Sequence, residues 1–385
     1  PEELRDSSCY HRRGQIQNYD AYPEVQHGDI DTLKDYWNED DAVGSSVINA
    51  LIKAHCYWIR TADIDGFRVD AVKHMGALAC SRFSSNIREY AYSLGKRSFF
   101  LFGEVATPDD DVYDGYLGPN TSVTDGDNTV FFGLDSVLDF RLAEGFYKDD
   151  DNAPLRDVLK GFQGPQTLFN RLEAQRERAL NRGELGRYLV TFVDNHDSFW
   201  QPGRFAAGAD DRQVIAAMGF LLCALGTPCI YYGTEQGFSG GGSDNAMREA
   251  MFDTGQPGHN LLNTSCTIYL EIAKIAAVMQ SNEALRFGRM YYRQISGDST
   301  HFGFPFGETY TLAFSRLLYG TETLVAYNVS GAPRNDSVIV DATLHASGSM
   351  RFLYGGTGTV PVQTAPDGSR FVNLPLTGYG FAILV

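Results

Sequence analysis

The stretch Asp63-Ile-Asp-Gly-Phe-Arg-Val-Asp-Ala-Val-Lys-His74 gathers acids and bases at short spacing. If Gly66 to Asp70 is a strand, side-chain alternation puts Gly66, Arg68 and Asp70 on one face and Phe67 and Val69 on the other. A guanidinium two residues from a carboxylate keeps Asp70 ionised at neutral pH, as a nucleophile or a sugar-binding anion must be. A salt bridge at a strand end fits the same two residues, because structural ion pairs perturb carboxylates as well. Two further carboxylates bear on the choice. Glu104 follows the apolar run Phe99-Phe-Leu-Phe102, and Asp197 closes Asp194-Asn-His-Asp197 after Tyr188-Leu-Val-Thr-Phe-Val193.

These carboxylates need elements to position them. Val47, Ile48, Leu51, Ile52, His55, Trp58 and Ile59 recur at helical spacing after a candidate N-cap at Ser45, so a helix feeds the Gly66 strand. A second helix is expected over Ala79 to Leu94. Further apolar runs at Leu134 to Phe140, Tyr188 to Val193 and Cys229 to Tyr232 alternate with helical stretches at 155 to 182, about Arg212 to Leu225, and Thr267 to Met279. Apolar runs bounded by turns and alternating with helices indicate buried parallel strands in βα units. Five units are expected. Asp70, Glu104 and Asp197 each lie at the C-terminal end of a different strand, where a parallel β/α barrel assembles its active site. From about Arg286 short apolar runs separated by Gly, Asn and Asp predict an antiparallel β domain, whereas residues 1 to about 42 read as a long polar loop region.

Composition narrows the function. The chain has 385 residues, 43% of them apolar, and a formal charge of −16. No basic patch is evident to meet phosphates, which argues against nucleic-acid or anionic-membrane partners and favours a neutral ligand. The 25 Phe, 21 Tyr and 3 Trp offer flat faces for sugar rings, although most belong to the core. Six scattered cysteines show neither a disulfide framework nor zinc spacing. The polar start at Pro1 carries no targeting segment, and the compartment stays open, with an extracellular or periplasmic one favoured. Two carboxylates about 5 to 5.5 Å apart equip a retaining glycosidase, and a third can stabilise charge developing on the sugar ring.

At this point the motifs resemble those of the α-amylase family of glycoside hydrolases. Gly66-Phe-Arg-Val-Asp-Ala-Val-Lys-His74, Phe102-Gly-Glu-Val105 and Phe192-Val-Asp-Asn-His-Asp197 are similar to its second, third and fourth signature regions. Gly226-Thr-Pro-Cys-Ile-Tyr-Tyr-Gly-Thr-Glu-Gln236 is similar to its eighth strand and following loop. The resemblance implies a (β/α)8 TIM-type barrel followed by an antiparallel β-sandwich. It implies Asp70 as nucleophile, Glu104 as acid/base and Asp197 as transition-state stabiliser. Arg68 and His196 would bind the sugar at the cleavage site, and Lys73 and His74 would contact the acceptor side. The substrate would be a starch-like α-glucan.

The first signature region is missing before Gly66. The expectation is therefore that only the last five βα units are present, that residues 1–42 are a remnant of an inserted loop domain, 43–285 a partial barrel and 286–385 the β domain, and that this chain alone is inactive. The resemblance also implies calcium in a full-length parent, with Asp29, Asp31 and the His74 carbonyl in the right neighbourhood. No cofactor is required by the residues present. Transglycosylation, exo-acting α-glucosidase chemistry and a noncatalytic carbohydrate-binding relative remain as alternatives, although all three carboxylates of the set are retained. Tyr19, Trp37, Phe199 and Trp200 are aromatic candidates for substrate contact. His11, His259, His301 and His345 read as isolated, and the glycine-rich 237–243 segment lacks the GKS or GKT ending of a phosphate cradle.

Overall fold

The computed structural model describes residues 2–118, 123–125, 128–130, 133–144, 153–180, 183–198, 201–252 and 262–385. It divides into two compact units. The first comprises Pro1–Arg141 and Gln175–Val190, the second Leu142–Ala174 and Thr191–Val385.

In the first unit, helix α1 spans Ala42–Ala62. It begins three residues before the expected Ser45, because the Asp41 carboxylate accepts the Gly44 N–H at 2.8 Å and caps the first turn. Ser45 instead accepts a hydrogen bond from Arg82 at 3.0 Å. The helix leads into strand β1 (Gly66–Val69), which pairs in parallel with β2 (Phe100–Gly103), residue for residue from Gly66↔Phe100 to Val69↔Gly103. Strand β3 (Ser136–Leu138) lies parallel to β2, and Leu189 and Val190 of β4 (Leu189–Thr191) lie parallel to β3. Two glycines permit this packing. A Cβ on Gly66 would fall 2.4 Å from the Phe100 carbonyl oxygen, and one on Gly103 would fall 2.4 Å from a Leu134 methyl.

Helix α2 (Ala77–Ser93) covers the sheet with Cys80, Phe83, Ile87 and Ala91, which join Ile59, Leu101, Tyr113, Leu134, Val137 and Leu189 in one core. Strand β1 is at the edge, and all four of its residues are only half-buried.

In the second unit, Thr191 at the end of β4 is met by the residue after β5 (Thr227–Pro228), the Cys229 N–H donating to the Thr191 carbonyl at 2.8 Å. The strand therefore lies earlier than the expected Cys229–Tyr232. Tyr231 and Tyr232 have left the ladder to pack against the Arg204 guanidinium, 4.3 and 5.4 Å from their ring centres. Helix α3 (Asp211–Cys223) is capped by Asp210 and is buried at nearly every position, so it is apolar all round rather than amphipathic. Helix α4 (Thr267–Ser281) packs beside it. The expected 155–182 helical region is two helices, Leu155–Leu159 and Gln166–Glu177, separated by a glycine- and proline-containing turn.

From Arg289 the chain forms antiparallel sheets of six and four strands. Leu324, Ala326, Val338, Met350, Val372 and Leu384 fill the space between them. Among the described residues no helix is long and apolar enough to cross a membrane.

Candidate active site

In the first unit, Arg68 leaves β1 between two carboxylates. Its guanidinium pairs with Asp70 through one nitrogen and with Glu104 Oε2 at 3.1 Å through the other. The sheet register makes this arrangement. The Glu104 N–H donates to the Val69 carbonyl at 2.9 Å, so the residue after β2 is locked beside the residue before Asp70. The chain then turns at Ala71, which adopts a left-handed φ of 49° and so aims its N–H at Glu104 Oε2, 3.1 Å away. The Asp70 side chain is 70% exposed and the Glu104 side chain 19%. One carboxylate is thus open to a ligand while the other is largely withdrawn from water.

That difference separates their chemistry. Burial raises the Glu104 pKa above the ordinary carboxylate value, and its hydrogen bond with Asp70 raises it further, against the Ala71 N–H and the Arg68 charge. A carboxyl raised in pKa by burial beside a more exposed carboxylate is the division of labour required of an acid and a nucleophile.

Lys73 and His74 face the loop region. The Lys73 ammonium is buried and donates to Asp20 at 2.8 Å and to the Ala106 carbonyl at 2.5 Å. Nδ1 of His74 is 2.7 Å from the Val25 carbonyl oxygen, and Tyr19 meets its ring edge-on at 5.9 Å. Burial lowers the His74 pKa, and because a carbonyl oxygen only accepts, Nδ1 carries the proton donated to Val25. Tyr19 therefore lies next to a predicted site residue. Trp37 lies elsewhere in the loop region, 4.9 Å from the His11 ring, and its indole donates to Asp41. Phe199 and Trp200 lie outside the described residues.

In the second unit, Asp197 and His196 stand together. His196 Nε2 is 3.0 Å from Asp197 Oδ2, and Arg248 Nη2 is 2.9 Å from Asp197 Oδ1. The Asp197 N–H is held by the Asn195 side-chain oxygen at 2.6 Å, and Asn195 in turn donates to Glu144 at 2.9 Å. The first aspartate of the same motif has a different job. Asp194 is buried, accepts the Phe205 N–H on both oxygens at 2.8 and 2.9 Å, and has its pKa raised by that burial. Sequence reasoning missed Ala71, Asp20, Glu144 and Arg248, which hold the predicted residues. Each is remote from the motif or has an unremarkable side chain, so spacing carried no signal for it.

Of the two aspartates read as calcium neighbours, Asp29 is buried, binds the Lys34 ammonium and accepts the Asp35 N–H. Asp31 is exposed on a left-handed turn. The described histidines read as isolated each meet a carboxylate: His11 is buried against His27, Asp35 and Glu39, His301 pairs with Asp298, and His345 lies beside Glu322. His259 lies outside the described residues.

Comparison with known proteins identifies relatives of the chain. The α-amylase catalytic-domain family model matches residues 17–264. The chain is 28% identical over 97% of its length to an α-amylase of Streptomyces lividans, of which it covers 39%. It is 31% identical over 70% of its length to a cyclomaltodextrin glucanotransferase of Paenibacillus macerans, of which it covers 32%. The crystal structure of the Geobacillus thermoleovorans α-amylase complexed with acarbose superposes with a TM-score of 0.71 at 20% identity, over 99% of this chain and 73% of that one. The fold is thus that of the α-amylase family, a TIM barrel with a C-terminal antiparallel domain.

Proposed function

The chain belongs to the α-amylase family of glycoside hydrolases, and from that premise we propose that it cleaves starch-like α-glucans by a retaining double displacement. Asp70 attacks the anomeric carbon while Glu104 gives its proton to the departing glycosidic oxygen, leaving a glycosyl ester on Asp70. Esterification removes the Asp70 charge that helps keep Glu104 protonated. Glu104 then acts as base toward water, which displaces the sugar and restores Asp70 with the α configuration retained. Asp197 stabilises positive charge on the ring in both transition states, with Arg68 and His196 binding the same sugar and Lys73 and His74 serving the acceptor side.

The observation that carries this reading is the pair of carboxylates joined by Arg68, one exposed, the other withdrawn from water and raised in pKa. The domain reading that goes with it takes 43–285 as the last five βα units of the barrel, 286–385 as the β domain and 1–42 as part of the inserted loop region. The chain spans 39% of the S. lividans relative, so hydrolysis is to be measured both in the 385-residue chain and in a version lengthened to the relatives' span. Release of reducing ends from soluble starch by the lengthened version, with α-anomeric products at first appearance and loss in Asp70→Asn, is expected. Initial β-anomeric products, or an Asp70→Asn variant as active as its parent, would sink the mechanism.

Transfer chemistry is the second reading, favoured by the 31% identity to the P. macerans glucanotransferase. It uses the same carboxylates and differs in whether water or a sugar hydroxyl meets the glycosyl-Asp70 ester. Cyclic or lengthened oligosaccharides among the products would establish it.

A further inference from the structure

Outside the catalytic residues, the loop region before α1 draws two histidines and a carboxylate to one point. His11 Nε2 lies 2.6 Å from Glu39 Oε1, and His27 Nε2 lies 3.2 Å from the same oxygen. All three donor atoms fall within 4.8 Å of one another. The His11 side chain is 1% exposed and that of His27 13%. The other Nδ1 of the pair, on His27, and the second oxygen of Glu39 are buried with no hydrogen-bond partner.

We propose that His11 Nε2, His27 Nε2 and Glu39 bind a divalent d-block cation, with Zn2+ the chemical match. Two imidazole nitrogens and one carboxylate oxygen suit zinc and are poor ligands for calcium, which takes oxygen donors. With bonds of about 2.0–2.2 Å, tetrahedral zinc ligands stand roughly 3.3 Å apart, so the Glu39 oxygen need yield by less than about 1 Å on loading. The outer partner is already in place. His11 Nδ1 lies 2.5 Å from Asp35 Oδ2, and a proton held there leaves the lone pair on Nε2 toward the metal, the carboxylate–histidine–metal arrangement that fixes tautomer and ring orientation. Three protein ligands leave a fourth position for water.

Such a cation would fasten three segments of an irregular region that has little regular structure of its own. Between His11 and His27 lies the segment that supplies Asp20 to Lys73 and the Val25 carbonyl to His74. The site is thus a staple on the loop that holds these two residues, and the inference stands apart from the catalytic reading. The rival account is a doubly protonated His11 donating to Asp35 and Glu39 with no metal.

The test adds Zn2+ alone to the chelator-treated 385-residue chain and measures bound metal by dialysis and elemental analysis. Co2+ substitution reports the geometry. We expect one tight Zn2+ per chain, a higher Tm, the intense visible absorption of four-coordinate Co2+, and no displacement by millimolar Ca2+. His27→Gln and Glu39→Gln should abolish the tight site, and Asp35→Asn should weaken it by about 10–100-fold. Circular dichroism of each variant matching that of the parent guards against unfolding, and His27, more exposed than His11, is the variant expected to keep its fold. Absence of stoichiometric Zn2+, or tight binding that survives both His27→Gln and Glu39→Gln, would overturn the proposal and leave the charged-histidine account.

Discussion

The backbone N–H of Ala71 donates to the Glu104 carboxylate at 3.1 Å, and Ala71 does so from a left-handed conformation. A non-glycine residue held at positive φ is strained by about 1–2 kcal/mol, and here the strain lies between the two carboxylates assigned to the chemistry. The turn swings the chain away immediately after Asp70, leaving that side chain exposed while its neighbour's N–H faces inward.

The first prediction concerns this turn. Ala71→Gly should change stability by no more than about 1 kcal/mol, in the stabilising direction, because relief of the left-handed strain outweighs the added freedom of the unfolded chain. Ala71→Val should lose roughly 1–3 kcal/mol, since a β-branched side chain tolerates positive φ worst. Denaturant unfolding of the two variants compares them, and a Val variant as stable as the Gly variant would contradict the assigned conformation.

The second concerns pH. Glu104 has a raised pKa, so its protonated form is favoured in the fold and is lost as pH rises through that value. The alkaline limb of kcat/KM should therefore report Glu104, lying above the ordinary carboxylate range, and Arg68→Met should move it higher by removing the charge that holds Glu104 down. The same shift has a stability sign. A carboxyl with a raised folded pKa contributes stability below its unfolded pKa and loses it as pH rises through the folded one. Glu104→Gln should consequently be more stable than the parent at pH 7 while being far less active, a split that thermal melts and rate measurements together would expose.

The third separates binding from stability at Asp197. Its ion pair with Arg248 joins two side chains 37% and 45% exposed, so Arg248→Ala should cost less than about 1 kcal/mol of stability. Asp197 nevertheless loses the cation that fixes one of its oxygens, and activity should fall several-fold, with kcat affected more than KM. An unchanged kcat would remove Arg248 from the positioning role.

The fourth lies in the β domain. Glu322 is buried, and burial alone would raise its pKa. The His345 imidazole 3.1 Å away, the Arg293 charge, the Ser315 hydroxyl and the Asp341 N–H outweigh that, and the net shift is downward. A depressed folded pKa gives stability that is present above the unfolded value and lost as pH falls through the folded one. The melting temperature should thus drop below about pH 4, the ordinary carboxylate range. Glu322→Ala at pH 7 should cost roughly 3–5 kcal/mol by leaving Arg293 and His345 facing a buried gap. Flat acid behaviour in the parent would contradict the assigned network.

Much was legible in the residue order because local chemistry wrote it there. Alternation placed Arg68 and Asp70 on one face, and the apolar runs announced parallel strands. Helix periodicity gave α1, α2, α3 and α4 to within a few residues. The boundaries that moved did so where a capping side chain or a distant cation intervened: Asp41 took the start of α1 from Ser45, and Arg204 drew Tyr231 and Tyr232 off the end of β5.

The sequence by itself determined which side chains can act, since identity and spacing fix charge, period and motif. Only the tertiary structure decided their state. Glu104 is raised in pKa because β1 and β2 pair in a register that buries it beside Asp70, and Asp194 and Asp197, three residues apart, differ because one is buried on the Phe205 N–H and the other is open to Arg248. His11, His27 and Glu39 are separated by 16 and 12 residues of irregular chain with no periodicity to announce them, and they meet only because the loop folds back on itself. Burial and long-range proximity are properties of the packed chain, and no spacing along the sequence encodes them.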